Sequence, residues 1–395
     1  MKIAIWWCFP CQATAAIFKA LAEDHDHEVV VLLLDGLSAS REKLGWKIPD
    51  YGNARVIFLP PEDSGRREVV TQLGLSSFDL HLLNSAYVWP FFNRVIDELI
   101  QLNIPYGILT EAPFNGFGGL KRLLKSFYVK YVLPLRVGWR ASHAEFVLSL
   151  SGEELDARKN LKRMRFPRNA IYCFGYFPPA PEFVRKEIKP PGNPIVLLCT
   201  GYLTRNKGQH LLISALNDIQ RNTRFRFQCF ITGFGPEEAA LRSLIEVHNL
   251  ESSVVLTGPV PHEELMTLYR MADLFVAPAI EEPWGVRINE AIHVGLPIVM
   301  SDRIGAVQIM RASGGGREFR SNSAEALTGA LLEILQNQSL LEEMQLSIQK
   351  YRAAIDPKNA ALLIDYVIKR HLERGANENL ESLSPGEVWN DPFLR

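Results

Sequence analysis

Apolar and polar positions along the chain alternate between two rhythms. Short apolar runs at Lys2 to Trp7, Val29 to Leu34, Ala54 to Leu59, Leu80 to Asn84, Tyr106 to Thr110 and Phe146 to Leu150 read as buried strands. Between them lie stretches with helical spacing, such as Thr14 to Glu23 and Phe91 to Leu102. Strands alternating with helices predict a parallel, doubly wound sheet, because each parallel pairing needs a crossover. A second alternation begins at Ile195. It ends in three helical stretches, Ala324 to Gln336, Leu340 to Tyr351 and Lys358 to Glu373. Prolines crowd Phe177 to Pro181 and Lys189 to Pro194, where neither a helix nor a central strand is comfortable. The expected organisation is therefore an N-terminal domain over 1–176, a linker over 177–193 and a second domain over 194–356. A helix over 357–374 and a polar tail over 375–395 complete it.

The densest chemistry lies between Glu282 and Glu290. Leu274 to Pro278 reads as a strand, Pro283 and Gly285 mark a turn, helical spacing resumes at Ile288 to Gly295, and Leu296 to Met300 reads as the next strand. This arrangement sets two carboxylates eight residues apart at the carboxyl end of a strand. Ligands bind there in parallel α/β sheets, and the amides and dipole of the following helix suit a diphosphate. The Glu290 carboxylate can accept two hydrogen bonds from a ribose diol, and Glu282 is the candidate for the sugar. Lys207, after the strand that ends near Thr200, offers a point charge to phosphate.

Four further pieces stand in order before these glutamates: the run from Gly201 to Gly208, Gly233 to Pro236, Leu256 to Pro261, and Ala272 with Asp273. Glu290 to Pro297 follows. Together they resemble the nucleotide-binding domain of retaining glycosyltransferases, specifically glycosyltransferase family 4, from Pro194 to about Ser301. The resemblance implies an α/β GT-B fold of two Rossmann-like doubly wound domains facing each other across a cleft. It also implies a nucleoside-diphosphate sugar of the UDP or GDP type as donor, no required cofactor and no metal. By the same resemblance the catalytic residues are Glu282, Lys207 and Glu111. The donor contacts are Glu290, Arg287, Arg205, Tyr202, Gly201, Gly258, Val260, Trp284, Gly285 and Val286, and the last helix crosses back to the N-terminal domain. Relatives usually carry arginine where this chain has Tyr202; Arg205 and Arg287 are the candidates to replace that charge.

The N-terminal half resembles the family more loosely. Relatives have a glycine-rich loop after the first strand and a histidine after a middle strand. This chain has instead Cys8 to Thr14 and, in about the place of the histidine, Glu111. Cys8, Gln12 and Asn115 are the expected acceptor-side residues, and Phe117 to Gly119 would loosen the loop after Glu111. The order Trp7, Cys8, Phe9, Pro10, Cys11 between a strand and a helix also matches the thioredoxin layout, so thiol-disulfide exchange is a rival reading.

Composition narrows the classes. With 47% hydrophobic residues, 22% charged residues and a net charge of −1 over 395 residues, the chain is a core-forming protein of at least two domains, and a globally basic nucleic-acid binder is excluded. No leader peptide or membrane span is read from the sequence, and the five cysteines suggest no disulfide framework, so a cytoplasmic protein is expected. One segment departs from neutrality. From Asn115 to Ala170 twelve Lys and Arg stand against four Glu and Asp, interspersed at first with Leu120, Leu123, Leu124, Phe127, Tyr128, Tyr131 and Val132. Such a stretch either packs into the domain with its charges solvated, meets an anionic acceptor, or lies on the anionic inner face of a membrane. The expected activity is hexosyl transfer to a glycan acceptor in surface polysaccharide or lipid-linked oligosaccharide synthesis. A soluble small-molecule acceptor and a nucleotide-sugar binder without turnover are the alternatives.

Overall fold

The computed structural model describes residues 1–25, 27–37, 46–113, 120–181 and 194–372. Residues 182–193 of the linker expected over 177–193, the tail over 375–395, Asn115 and the Phe117 to Gly119 loop lie outside these residues. The chain divides into two compact units. The first is built mainly from the segments up to Pro179 together with the segment from Ile355, and the second mainly from Ala180–Ala354.

The first unit is built on a seven-stranded sheet of β1 (Lys2–Trp7), β2 (Glu28–Leu33), β3 (Arg55–Phe58), β4 (Leu80–Asn84), β5 (Tyr106–Thr110), β6 (Phe146–Ser149) and β7 (Ile171–Cys173). Their spatial order is β3-β2-β1-β4-β5-β6-β7, and every pairing is parallel. Residues of β1, β2, β4 and β5 are buried almost throughout, which is why those strands read as continuous apolar runs. Strand β7, preceded by a helix at Ala157–Arg163, was not expected; only three residues long, it carries too little periodicity to be read from sequence.

The Pro357–Leu372 helix packs against the Gln12–Asp24 helix within this unit. Its buried Asp365 takes hydrogen bonds from His27 Nε2 at 2.9 Å and Lys369 Nζ at 2.7 Å, with His25 Nδ1 at 3.6 Å. Burial pushes the Asp365 carboxyl upward, but the His27 hydrogen bond and the Lys369 ammonium outweigh it and hold the group below its usual range.

The second unit repeats the plan with β8 (Ile195–Thr200), β9 (Phe227–Thr232), β10 (Val254–Gly258), β11 (Leu274–Ala277), β12 (Ile298–Ser301) and β13 (Gly316–Phe319). Here the order is β10-β9-β8-β11-β12-β13, again parallel throughout. Strand β12 starts two residues later than expected. Gly295, in the left-handed region at φ 78°, and the Leu296 N–H bonded to the Ala291 carbonyl use the intervening residues as a helix cap. Both sheets reverse direction of growth once. In the first the chain builds outward from β1 and returns to β4 beside it; in the second it builds outward from β8 and returns to β11.

A fully buried histidine pins the centre of the first sheet. Trp6 Nε1, which can only donate, bonds His81 Nδ1 at 3.0 Å, and the Leu75 carbonyl, which can only accept, lies 3.0 Å from His81 Nε2. Both partners therefore select the neutral Nε2–H form. Burial lowers the His81 pKa to about 4. Since the unfolded value is near 6.5, the unfolded chain binds the extra proton first, so this stabilisation is complete above about pH 6.5 and is lost as pH falls toward 4. His210 in the second unit, also lowered to about 4 by burial and by Arg205, acts with the same sign. Denaturant titrations at pH 4.5 and 7.5 should show a His81→Gln variant losing roughly 2–3 kcal/mol less on acidification than the parent. An unchanged pH dependence would remove His81 as its source.

Candidate functional site

The second unit gathers charged side chains where β8 and β11 end side by side. After β8, Gly201 leads into Tyr202, and a short 3-10 turn at Arg205–Lys207 precedes the Gln209–Asn222 helix. After β11, the Ala279 to Gly285 loop feeds the Val286–Val294 helix. The two loops are tied by their main chains. Asn206 O accepts from Ile280 N–H at 2.8 Å, and Asn206 Nδ2 donates to the Glu281 carbonyl. Gly208 makes this approach possible: its φ is 71°, and a Cβ there would lie 1.9 Å from the Pro278 carbonyl oxygen.

Lys207 Nζ donates to Glu282 Oε2, joining two of the three residues expected to be catalytic. The adjacent Glu281 turns elsewhere, pairing with Arg303 at 2.9 Å, so of the two consecutive glutamates Glu282 is the one facing the lysine. Glu282 is held at the main chain as well, its N–H on the Arg303 carbonyl and its carbonyl on the Gly305 N–H, both at 3.0 Å. One helical turn on, Glu290 receives Arg287 Nη1 at 2.6 and 2.7 Å and the Tyr269 hydroxyl at 3.0 Å. The Glu290 carboxylate raises the Arg287 guanidinium pKa despite its desolvation. Burial, reinforced by the same carboxylate, pushes the Tyr269 phenol well above its ordinary value, which keeps it a hydrogen-bond donor.

Two expectations change in detail. The helix begins at Val286 instead of Ile288, because Gly285 at φ 90° caps it directly; Glu290 therefore stands in its second turn, not its first. Trp284, expected as a donor contact, is 2% exposed with its indole N–H bonded to Asn289 Oδ1 at 2.9 Å, so its side chain supports the loop from within the domain. Arg205 is exposed and makes no ion pair among the described residues, whereas Arg287 is committed to Glu290. Tyr202 is 48% exposed and packs edge-to-face on Phe234, ring centroids 5.1 Å apart. Gly258 and Val260 lie farther along the same edge, at the end of β10, where the Gly258 carbonyl accepts the Gly233 N–H at 2.9 Å.

In the first unit, Cys8, Cys11 and Glu111 line a cavity of about 480 Å³ at the carboxyl ends of β1, β4 and β5. Cys8 is buried and Cys11 half-buried, and neither is in a disulfide among the described residues. Gln12, exposed on the first turn of its helix, is not among the lining residues. The cavity's aromatic walls went unread in the sequence; their only signal was the run of large side chains from Tyr87 to Trp89.

Residues 181–351 match the family of glycosyl transferases group 1. The match falls on the second unit. Within the curated proteins, the chain is 32% identical over 159 residues to the putative colanic acid biosynthesis glycosyltransferase WcaL of Salmonella typhimurium, covering 38% of this chain and 39% of that protein. It is 30% identical over 146 residues to O-antigen chain mannosyltransferase B of Escherichia coli, covering 37% and 38%. The matches thus span about two fifths of these relatives' lengths. Among solved structures, Anabaena Alr3699/HepE in complex with UDP and glucose aligns with TM-score 0.68 and 16% identity over 94% of this chain and 100% of that one. Sucrose-phosphate synthase from Thermosynechococcus elongatus aligns with TM-score 0.69 and 17% identity over 95% and 100%. At these identities the likeness is one of fold. The two units therefore share the GT-B fold with these structures, while the sequence similarity falls on the second unit.

The Gly208 approach tests the frame of the second unit. Gly208→Ala should destabilise it by more than about 2 kcal/mol, since the new Cβ meets a backbone carbonyl in a left-handed conformation. Thermal denaturation with an unchanged midpoint would show that the two loops separate freely.

Proposed function

We propose that the protein is a retaining glycosyltransferase of the family 4 kind, moving a sugar from a nucleoside-diphosphate sugar of the UDP or GDP type to a hydroxyl of a glycan acceptor. The observation that carries this reading is the meeting of the Lys207–Glu282 and Arg287–Glu290 pairs at the reversal between β8 and β11. Donor bond cleavage sends the electron pair of the anomeric C–O bond onto the diphosphate. Catalysis then requires positive charge where that oxyanion grows. Lys207 supplies it, and the Val286 amide at the helix N-terminus adds a donor. Glu282 accepts from the sugar hydroxyls and Glu290 from the ribose. A carboxylate offers about four acceptor sites, so Glu290 keeps capacity beside Arg287 and Tyr269. The acceptor oxygen attacks the anomeric carbon from the face the diphosphate leaves, and its proton passes to the departing phosphate oxygen, which balances the exchange without a protein base. Arg205 provides the second cation in place of the arginine absent at Tyr202.

The WcaL and O-antigen relatives favour a surface polysaccharide or lipid-linked oligosaccharide as the product, with the acceptor held by the first unit. Among the described residues no helix is long and apolar enough to cross a membrane. The continuous helical run from Leu120 to His143 nevertheless leaves Leu123, Leu124, Phe127, Tyr131, Leu135 and Trp139 between 51% and 78% exposed. From Ala112 to Ala144 the sequence holds six Lys and Arg and no acidic residue. This combination suits an anionic bilayer, with about 1 kcal/mol for each basic residue near its surface.

Calorimetry with UDP, GDP, ADP and TDP and their common sugars should show selective binding of one nucleotide, lost in Glu290→Ala. Lys207→Ala should retain binding of the matching sugar nucleotide within about tenfold while lowering kcat by roughly 10²–10³. Absence of binding by every nucleotide would end the donor reading. Sedimentation with vesicles containing phosphatidylserine should carry the protein down at low salt, less so at high salt, and far less for Leu124→Ser/Phe127→Ser. Equal sedimentation with neutral vesicles would defeat the bilayer claim.

A further inference from the structure

Four residues carry the chain from β1 into the Gln12–Asp24 helix, and the first and last of them are cysteines. The reversal is sharp. Trp7, the last residue of β1, meets Phe18 of the helix edge-to-face with ring centroids 5.4 Å apart, so the helix runs directly back along the strand it follows. Both cysteines are anchored at the main chain. The Cys8 carbonyl accepts the Asp35 N–H at 2.8 Å, which prolongs the pairing of β1 with β2. The Cys11 carbonyl accepts the Thr14 and Ala15 N–H groups at 3.2 and 2.9 Å, which opens the helix. Only Phe9 and Pro10 stand between, and proline narrows the backbone freedom of both. The first and fourth residues of a tight reversal lie less than about 7 Å apart, and a disulfide spans Cα atoms about 4.4–6.8 Å apart.

The two side chains also converge. Both line the cavity of about 480 Å³ at the carboxyl ends of β1, β4 and β5. Both bear on the same two phenols: burial first, with the charges of Cys11 and Cys8 behind it, raises Tyr51 above its ordinary value, and burial, Glu111 and then the same two cysteines raise Tyr176. The other three cysteines have a different setting, and none of them lines this cavity. Cys173 Sγ donates to Glu153 Oε1 at 2.6 Å, while Cys199 and Cys229 lie within β8 and β9 at 2% and 0% exposure. Burial pushes all three thiols up, Cys199 to about 12, which leaves them unreactive.

We propose that Cys8 and Cys11 form a reversible oxidation site whose substrate is a small hydroperoxide, admitted by the cavity and leaving the pair as a disulfide. Cys11, half-buried at the helix N-cap, is the attacking residue, since helix N-termini favour the thiolate form of cysteine; the buried Cys8 resolves. The Cys11 sulfur takes one peroxide oxygen: an S–O bond forms, the O–O bond breaks, and with hydrogen peroxide the other oxygen leaves as water. The Cys8 sulfur then displaces the hydroxyl of the sulfenic acid, the S–S bond forms, and a second water leaves. The two thiols thus give two electrons and two protons to the peroxide, and an external dithiol returns them by exchange. Closing the bond fixes the reversal between β1 and the helix and changes one wall of the cavity.

The site is tested on the full chain without nucleotide or acceptor. Reduced protein is treated with hydrogen peroxide, alkylated with iodoacetamide in denaturant and cut with trypsin. Cys8 and Cys11 fall on one tryptic peptide, residues 3–19, with no other cysteine. The expected result is that this peptide loses two hydrogens and resists alkylation, that Cys173, Cys199 and Cys229 are alkylated, and that dithiothreitol restores the thiols. In Cys8→Ser the sulfenic acid at Cys11 should persist and be captured by dimedone, and Cys11→Ser should consume peroxide at least tenfold more slowly than the parent. Full alkylation of Cys8 and Cys11 after peroxide, a disulfide joining Cys199 to Cys229 in their place, or sulfinic acid at Cys11 without a disulfide would overturn the proposal. The peptide masses of the parent decide this even where a serine variant fails to fold.

Discussion

Parallel pairing is the constraint on which the rest of this protein depends. A parallel strand cannot be joined to its neighbour by a tight turn, so every connection runs back along a sheet face and every outgoing loop emerges at the same edge. In each sheet the chain reverses its direction of growth once, between β1 and β4 and between β8 and β11. Loops to either side of a reversal lead away from each other and leave a crevice. The chemistry of the molecule sits at these two crevices. Lys207 and Glu282 arrive on the loops after β8 and β11, while Trp7 ends β1 and Trp89 stands on the loop after β4. Neither set is close in sequence, and only the order of the strands brings each together.

This explains what could be read from the chain and what could not. Strands β1, β4 and β5 have the boundaries their apolar runs suggested, since a strand buried on both faces needs no alternation and stops where polar or turn residues begin. The motifs of the second unit were legible because each glycine or charged residue answers a local demand, as Gly208 answers the Pro278 carbonyl. Helix starts were less legible. Gly285 reads as a turn residue, yet in the left-handed region it is itself the cap, which moved the Val286–Val294 helix two residues earlier and Glu290 one turn deeper. The Trp284 side chain was not legible for another reason: a place near Glu282 says nothing about which way a side chain points, and this one lies in the apolar interior. The aromatic cavity was not legible at all, because its walls come from segments scattered from Trp7 to Tyr176 and have no common period.

The charges at the second crevice form a closed set. Each carboxylate there has a cation of its own, Lys207 with Glu282 and Arg287 with Glu290, while Glu281 is drawn off by Arg303. In the second pair the Glu290 carboxylate raises the Arg287 guanidinium and so keeps it charged. On the proposed reading a diphosphate entering the crevice would exchange one set of ion pairs for another. The net cost of desolvating the cations would thereby be reduced, and Arg205, exposed and without an ion pair among the described residues, would add charge beyond this balance. On the same reading the arginine absent at Tyr202 would be replaced by a charge three positions on in the same loop; Tyr202 itself packs against Phe234.

The helical run from Leu120 to His143 sets two unlike faces on one element. Val129 and Leu133 face inward and are buried, Lys125 and Tyr128 edge the cavity, and Phe127, Tyr131, Leu135 and Trp139 face water. A regular helix repeats its faces every 3.6 residues; the π-helical turn at Tyr128–Val132 adds a step that shifts the faces of the helix beyond it. That shift lets a single run contribute to the cavity on one side while keeping large apolar side chains on the other. On the proposed bilayer reading, the outer face of this run would meet the lipid surface while its inner face packs into the domain. A soluble acceptor would require only the inner face, and six large apolar side chains held in water, unrelieved by a single acidic neighbour along thirty-three residues of sequence, would then serve nothing.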